Sequence, residues 1–260
     1  MTPEQAQEAA RILLSARGDH RTIDELPASC RPKTVDEGYA VQDALAQLWG
    51  LECCGWKVGA TNAEWQAKVG VKEPLGGRLF APFSYPSPAT LEGKAFHIRI
   101  VESEYGFRLA RDLPMRGKPY TREEVEDAVG AVHCCMELAD SRYKGGLQVD
   151  PPSLIADNAI GTASVIGPAI PDWRKADLAG HKVKLWVDGK VVAEGTGAEA
   201  GGHPINPLVW LANDRAKRDG GLKAGMIVIT SSCTGVYRCP SPAVAVSDFG
   251  AFGKVQVTFT

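Results

Sequence analysis

From Phe96 to Leu109 the chain reads Phe-His-Ile-Arg-Ile-Val-Glu-Ser-Glu-Tyr-Gly-Phe-Arg-Leu, which has the two-residue period of a β-strand. Phe96, Ile98 and Ile100 then share one face with Glu102 and Glu104, while Val101, Tyr105, Phe107 and Leu109 make the other face apolar. A strand apolar on both faces is expected inside a protein, under a layer on each side. This one also projects two carboxylates, with Cβ atoms expected roughly 6.5–7 Å apart. Anions held that close raise one another's pKa unless a cation sits between them. Glu137, in the run Cys134-Cys135-Met136-Glu137-Leu138-Ala139, is a third carboxylate among apolar neighbours. Charged side chains are rarely buried unless paired. Three glutamates with no histidine or cysteine ligand set make a hard-oxygen site, suited to Mg²⁺ or Mn²⁺ rather than Zn²⁺. The plainer alternative is an edge strand with two solvated glutamates and an unrelated third. The residues alone leave both open.

The first seventy or so residues read as helices. Thr2 with Gln5, and Thr34 with Glu37, have capping-box spacing, and Pro3 suits a first helical position. The second helix carries Tyr39, Val41, Leu45 and Leu48 and closes at Gly50. A short strand follows from Cys54 to Thr61, then a small helix from Asn62 to Gly70. Beyond residue 76 strands dominate: His133 to Ala139, Thr162 to Ile170, Met226 to Thr230, Ala243 to Val246 and Val255 to Phe259. Thr121 with Glu124 caps a helix reaching towards Val132. Asp188-Gly189 between two β-branched runs predicts a type I′ hairpin. Asn206-Pro207 reads as N-cap and first residue of a helix past Trp210. Twenty-eight glycines and seventeen prolines disfavour a helical bundle. The expectation is an α+β protein, with a helical part over 1–75 and a β-rich catalytic part over 76–260 packed as one body.

A formal net charge of −2 argues against a nucleic-acid partner. The clusters Arg215-Lys217-Arg218 and Arg108-Arg111 read as solvated faces. No apolar run approaches the ~20 residues of a membrane span, and the polar start Met1 to Gln5 does not look like a signal peptide. Seven cysteines without a CxxC pair read as reduced core residues of a cytoplasmic protein.

Several segments, in order along nearly the whole chain, carry a resemblance. They are Gly55-Trp56-Lys57-Val58-Gly59-Ala60-Thr61, Val101 to Phe107, Met136 to Arg142, Ile155-Ala156-Asp157-Asn158-Ala159, Asn206 to Asn213 and Gly225 to Gly235. Together the chain resembles the 2-keto-4-pentenoate hydratase family of the fumarylacetoacetate hydrolase superfamily, which includes 4-oxalocrotonate decarboxylases. The resemblance implies a mixed β-roll, a metal site of Glu102, Glu104 and Glu137, Lys57 facing the substrate, and Ser232 lining the pocket near the substrate's carboxylate. It also implies a homo-oligomer, with a pathway enzyme as a further partner. A 2-oxo acid can chelate Mg²⁺, or Mn²⁺, which stabilises the enolate as a Lewis acid. Lys57 would balance the charge as a carboxylate clamp, or carry a proton at a lowered pKa. Lys57 and Glu104 are the candidate catalytic residues.

Two positions depart from the family pattern. Leu75 stands where such hydratases carry an aspartate, and Ile160 where a small hydroxyl residue is common. Both bear on water addition. Arg78 is a candidate for meeting a second acidic group on the substrate. The helix Asn62 to Val69 holds Glu64 but no histidine, which ranks C–C hydrolysis below hydration and decarboxylation. Gly195 to Gly201 has the wrong spacing and context for a dinucleotide loop. His203 reads as a loop residue that could edge the pocket. The expected function is Mg²⁺-dependent hydration of a 2-hydroxy-2,4-dienoate to a 4-hydroxy-2-oxo acid. The alternatives are decarboxylation of a 2-oxo-enedioate and, in another class, a noncatalytic partner subunit that binds metal and oxo acid.

Overall fold

The computed structural model describes residues 1–218 and 220–260. Helix α1 (Pro3–Gly18) starts from the expected capping box, with Thr2 and Gln5 exchanging hydrogen bonds between side chain and backbone. Helix α2 (Val35–Trp49) starts at Thr34 and stops at Gly50, whose φ of +65° suits a residue without Cβ. The second box is half made. Glu37 N–H donates to Thr34 Oγ1, but the Glu37 carboxylate accepts from Lys33 N and the Met1 amino group. Ala6, Ala9, Ala10 and Leu13 of α1 pack with Val41 and Leu45 of α2 as a small separate core.

Two sheets form the rest. The strands are β1 (Cys53–Gly59), β2 (Leu75–Phe80), β3 (Ser84–Pro86), β4 (Ala89–Leu91), β5 (Ile100–Leu109), β6 (Val129–Ala139), β7 (Gly161–Ala169), β8 (Lys182–Val187), β9 (Lys190–Thr196), β10 (Ile227–Ser232), β11 (Tyr237–Arg238), β12 (Ala243–Asp248) and β13 (Lys254–Phe259). Among the described residues the larger sheet has eight strands in the order β2-β1-β10-β5-β6-β7-β3, with β11 also on β5. The smaller has five, in the order β4-β13-β12-β8-β9. Three pairs are parallel, β1 with β10, β3 with β7 and β13 with β4, so the expected mixed α+β roll is what the chain forms. The β8–β9 hairpin turns at Asp188 and Gly189, both with positive φ, as a type I′ turn requires.

The main core lies between the sheets. Val101, Tyr105, Phe107 and Leu109 of β5 face the smaller sheet, where Tyr105 meets Phe249 edge-on at 5.2 Å between ring centroids. Buried Ser103 is satisfied by Ser247 across the layers at 2.7 Å. The other face of β5 carries Ile100, Glu102 and Glu104 into the hollow of the curled larger sheet. Helices α3 (Ala63–Val69), α4 (Arg122–Ala128), α5 (Pro151–Ala156) and α6 (Ile205–Arg218) complete the fold.

The structure corrects several expectations. The long strand begins at Ile100, not Phe96. Asp140 Oδ1 accepts from the N–H groups of His97 and Ile98 at 2.9 and 2.6 Å, and Arg99 turns to a φ of +41°, which diverts the chain from the ladder. Phe96 therefore leaves the glutamate face and packs against Phe259. The boundary expected at residue 75 falls at the start of β2, and β1, before it, lies between β2 and β10 inside the main sheet. Helix α4 stops at Ala128, where β6 takes over. Helix α6 begins at Ile205, and His203 Nδ1 accepts from Ile205 N–H, so His203 is a helix-starting residue. Arg215 is no solvated cation. It is 1% exposed, ion-paired to Asp214, and its guanidinium lies over Trp56 and Tyr39. All seven cysteines are free thiols. Among the described residues no helix is long and apolar enough to cross a membrane.

Candidate active site

Register places the site. Glu102 of β5 stands directly opposite Glu137 of β6, and Glu104, two residues on, is opposite Cys135. Alternation puts Glu102 and Glu104 on one face, and direct pairing brings Glu137 to the same face. One oxygen from each of the three carboxylates lies within 4.8 Å of the others. Lys57 of β1 reaches the same spot from the other side of β10, with its Nζ 3.1 Å from Glu137 Oε1. Lys57, Glu104 and Glu137 are 4%, 1% and 1% exposed, while Glu102 keeps a partial opening to a cleft.

Apolar clusters bracket these charges. On one side lie Leu79, Cys135, Ile227 and Ile229; on the other Leu75, Ile100, Leu154, Ala159 and Ile160. Burial pushes the Glu102 carboxyl up to about 8, with the Glu137 charge adding and Lys57 opposing. Glu104 is raised well above the usual carboxylate range by burial, then by Glu137 and Glu102, against Lys57 and a hydrogen bond from the Ser231 backbone. Burial alone would lower the Lys57 ammonium, but Glu137, Glu102 and Glu104 outweigh it and the pKa is raised. Without an ion, this direction favours the carboxylate clamp over a proton carrier with a lowered pKa. Lys57 is held as a cation.

A divalent ion fits this donor set. The oxygens are close enough to meet on one hard cation. Glu104 Oε2 is buried with no hydrogen-bond partner, a costly condition that an ion would relieve.

Strained backbone surrounds the cleft. Asn158, Ala159 and Ile160 have φ of +57°, +48° and +57°, a left-handed run that is rare outside glycine and rarer for a β-branched residue. Asn158 fixes the run. Its Oδ1 accepts from Arg78 N–H at 2.7 Å, and its Nδ2 donates to Arg78 O and Gly161 O. A Cβ at Gly77 would stand 2.4 Å from Asn158 O and 3.1 Å from Lys57 Cε, so this close approach requires glycine. Between Ile229 and Ser232 the register of β10 against β5 slips, and Ser231 has a φ of +73°. The irregularity turns both Ser231 and Ser232 towards the cleft, which consecutive residues of a regular strand cannot do. Such outliers persist where the surrounding structure over-determines them, commonly at functional sites.

Most sequence candidates meet here. Glu102, Glu104, Lys57 and Ser232 line the cleft, of about 770 Å³ with its mouth, and Glu137 lies behind Lys57. Arg78 does not reach it. Its side chain is on the other face of β2, bonded to Gln42 and Asp43 and stacked on Trp56, so it is not placed to meet a substrate. Leu75 and Ile160, flagged as departures, both line the cleft. Sequence reasoning missed Ser231, Trp65 and Glu199, which also line it. The Asn62 side chain ties the mouth together: its Oδ1 accepts from Trp65 N–H and its Nδ2 donates to Glu199 O. Only the Asn62 N-cap pattern could have pointed to this rim.

No protein-family model matches the chain. Among curated proteins it is 33% identical over 262 residues to a 2-keto-4-pentenoate hydratase of Paraburkholderia xenovorans (strain LB400), covering 100% of this chain and 96% of that one. Among solved structures it superposes with a TM-score of 0.92, at 26% identity, on a 4-oxalocrotonate decarboxylase from Pseudomonas putida G7 complexed with magnesium and adipate, over 100% of this chain and 99% of that one. A likeness of fold alone, with a TM-score of 0.55 at 15% identity, extends to a fumarylacetoacetate hydrolase family protein from Yersinia pestis CO92, over 79% of this chain and 92% of that one.

Proposed function

Since the chain belongs to the 2-keto-4-pentenoate hydratase family, and is thereby a lyase, we propose that it hydrates a 2-hydroxy-2,4-dienoate to a 4-hydroxy-2-oxo acid with a magnesium ion bound by Glu102, Glu104 and Glu137. The observation that carries the reading is the convergence of three carboxylates beside a buried lysine, with Glu104 Oε2 left unpartnered. Once bound, the ion supplies a positive charge that stabilises the enolate of a chelated 2-oxo acid. Manganese has the same ligand preferences. The decarboxylase from Pseudomonas putida G7, complexed with magnesium and adipate, lends weight to a divalent cofactor.

The chain's own side chains do the rest. Lys57 Nζ, kept protonated by its anionic neighbours, donates to the substrate's oxygens and fixes its carboxylated end. Ser231 and Ser232 border that end from β10. The Glu104 carboxylate oxygen that the ion leaves free would accept the proton that leaves the 2-hydroxyl and return one as the double bonds move into conjugation. Leu75, Ala159 and Ile160 keep the diene dry until water adds at the conjugated position.

Loss of diene absorbance on adding Mg²⁺, abolished by a chelator, with one solvent oxygen entering the product, tests the proposal. Consumption of diene without solvent oxygen in the product would sink it. A second reading, decarboxylation of a 2-oxo-enedioate, is favoured by the apolar Leu75 and Ile160, which offer no polar group to position water. Carbon dioxide release identifies it. The assembly we expect is a homo-oligomer, which sedimentation would read; co-purification of a pathway enzyme would test that partner.

A further inference from the structure

We propose that the protein has a second binding site, outside the catalytic cleft, for a small aromatic carboxylate held by Arg17. The site is a pocket of about 1270 Å³ with its mouth, at the seam where α1 and α2 meet the sheet edges β3 and β4. It shares no lining residue with the catalytic cleft, so it does not depend on the reaction proposed there. Leu14 and Arg17 enter from α1, Trp49 from the end of α2, and Phe83, Tyr85 and Phe96 from the segments around β3 and β4. The rings are set before any ligand arrives. Trp49 packs on Phe80 and Phe83 at 4.9 and 5.2 Å between centroids, and Phe96 on Phe259 at 5.7 Å. A concave, mainly apolar pocket with a few placed polar groups is the usual form of a small-molecule site.

Arg17 is the charged group of this pocket, and it lacks an anion. Its guanidinium is half-buried, 5.0 Å from the centroid of the Trp49 ring, and among the described residues no hydrogen bond or ion pair reaches it. The nearby carboxylates are engaged elsewhere. Asp157 gives both oxygens to Arg142, and Asp140 Oδ1 accepts from the N–H groups of His97 and Ile98. Glu92, at the rim, pairs with Lys94 at 3.3 Å. Burial, and then the like charge of Arg142, hold the Arg17 guanidinium below its usual range, against Asp157 and Asp140. A guanidinium keeps its proton even so. The pocket therefore holds a cation that has lost much of its water and gained no counter-charge. A carboxylate answers it, because two coplanar oxygens match the guanidinium fork. Its charge also offsets the repulsion from Arg142, whose Nη1 donates to Thr162 Oγ1 at the pocket wall. Trp49, Phe83, Tyr85 and Phe96 favour a flat apolar body behind the carboxylate, stacked or edge-on. Phosphate would meet the same cation but leave those rings without a partner.

The test uses the full chain, once with magnesium and once with a chelator. The probes are benzoate, its uncharged isostere benzamide, and inorganic phosphate, followed by calorimetry and thermal melts. Benzoate should bind in both conditions with a dissociation constant of about 1 mM or tighter, and should raise the melting temperature as its concentration rises. Benzamide and phosphate should bind at least roughly tenfold more weakly, the scale of one charge-assisted hydrogen bond. Benzoate should weaken by the same factor in Arg17→Met. Arg17→Gln serves if that variant fails to fold. Absence of benzoate binding, equal benzoate affinity in Arg17→Met, or phosphate binding as tightly as benzoate overturns the inference. Benzoate binding that appears only with magnesium belongs to the catalytic cleft and also overturns it. So does self-association that Arg17→Met abolishes and that keeps benzoate out, which would give the pocket to a carboxylate of a second copy.

Discussion

Lys57 Nζ lies 3.1 Å from Glu137 Oε1, with the two side chains only 5% and 2% exposed. The pair joins β1 to β6 across two intervening strands, β10 and β5. Removing one member of a buried pair strands the other's charge. Lys57→Met should therefore destabilise the metal-free protein by about 3 kcal/mol, measured by urea unfolding. Saturating Mg²⁺ should restore much of that loss, because an ion takes over the carboxylates. Activity should stay depressed by ~10²–10⁴-fold with the ion present. Full activity in the magnesium-loaded variant would remove Lys57 from the mechanism.

Glu104→Gln replaces a carboxyl that already holds its proton well above the usual range in the metal-free protein. The amide copies the protonated form, so the fold should survive with unchanged or slightly raised thermal stability. Magnesium uptake and metal-dependent turnover should vanish. Calorimetry together with thermal melts separates this from misfolding, and retained turnover would exclude Glu104.

The Glu102 carboxyl, at about 8 when folded against an ordinary 4.5, sets a pH dependence with a definite sign. Between those values the folded state binds more protons than the unfolded chain, so its contribution to stability falls as pH rises. The metal-free protein should lose melting temperature across that window, and Glu102→Gln should lose less. Magnesium must displace the same proton, so uptake should strengthen with pH up to about 8 and release protons. Binding enthalpies that differ between buffers by their ionisation heats would display the release. A buffer-independent enthalpy would contradict it.

Asn158→Ala removes three side-chain hydrogen bonds and leaves Arg78 N–H without its acceptor. It also puts alanine at a φ of +57°. The expected cost is about 2–4 kcal/mol for the orphaned buried groups and the left-handed backbone, read by denaturant unfolding. Turnover should fall as well, since the turn that sets Ala159 and Ile160 against the cleft loosens. A loss below about 0.5 kcal/mol, the scale of a neutral surface change, would show that the turn is held by something else.

What the sequence disclosed was local. The alternation around Glu102 and Glu104, the Thr2 and Thr121 caps and the Asp188-Gly189 hairpin depend on neighbours within a few positions, and each formed. The residues raised the grouping of the three glutamates as one of two readings, and the family resemblance chose it and added Lys57, which no local pattern could. Distant competitors undid other expectations. The Met1 amino group and Lys33 N–H diverted Glu37 from Thr34, and Asp140 drew His97 and Ile98 out of the strand. Arg78 was misplaced because its partners, Gln42, Asp43 and Trp56, come together only through tertiary packing. The left-handed run at Asn158 to Ile160 and the irregularity at Ser231 contain no glycine to announce them, so nothing in the sequence marked either one.

The parallel pairing of β1 with β10 sets Lys57 opposite Ile229. On a ribosome, then, the lysine emerges long before the strand that will lock it beside the glutamates has been translated. Until that late strand lies between β1 and β5, neither half of the charge cluster is held beside its counterpart. Joining of the lysine to the glutamates therefore waits on β10, a strand far later in the chain.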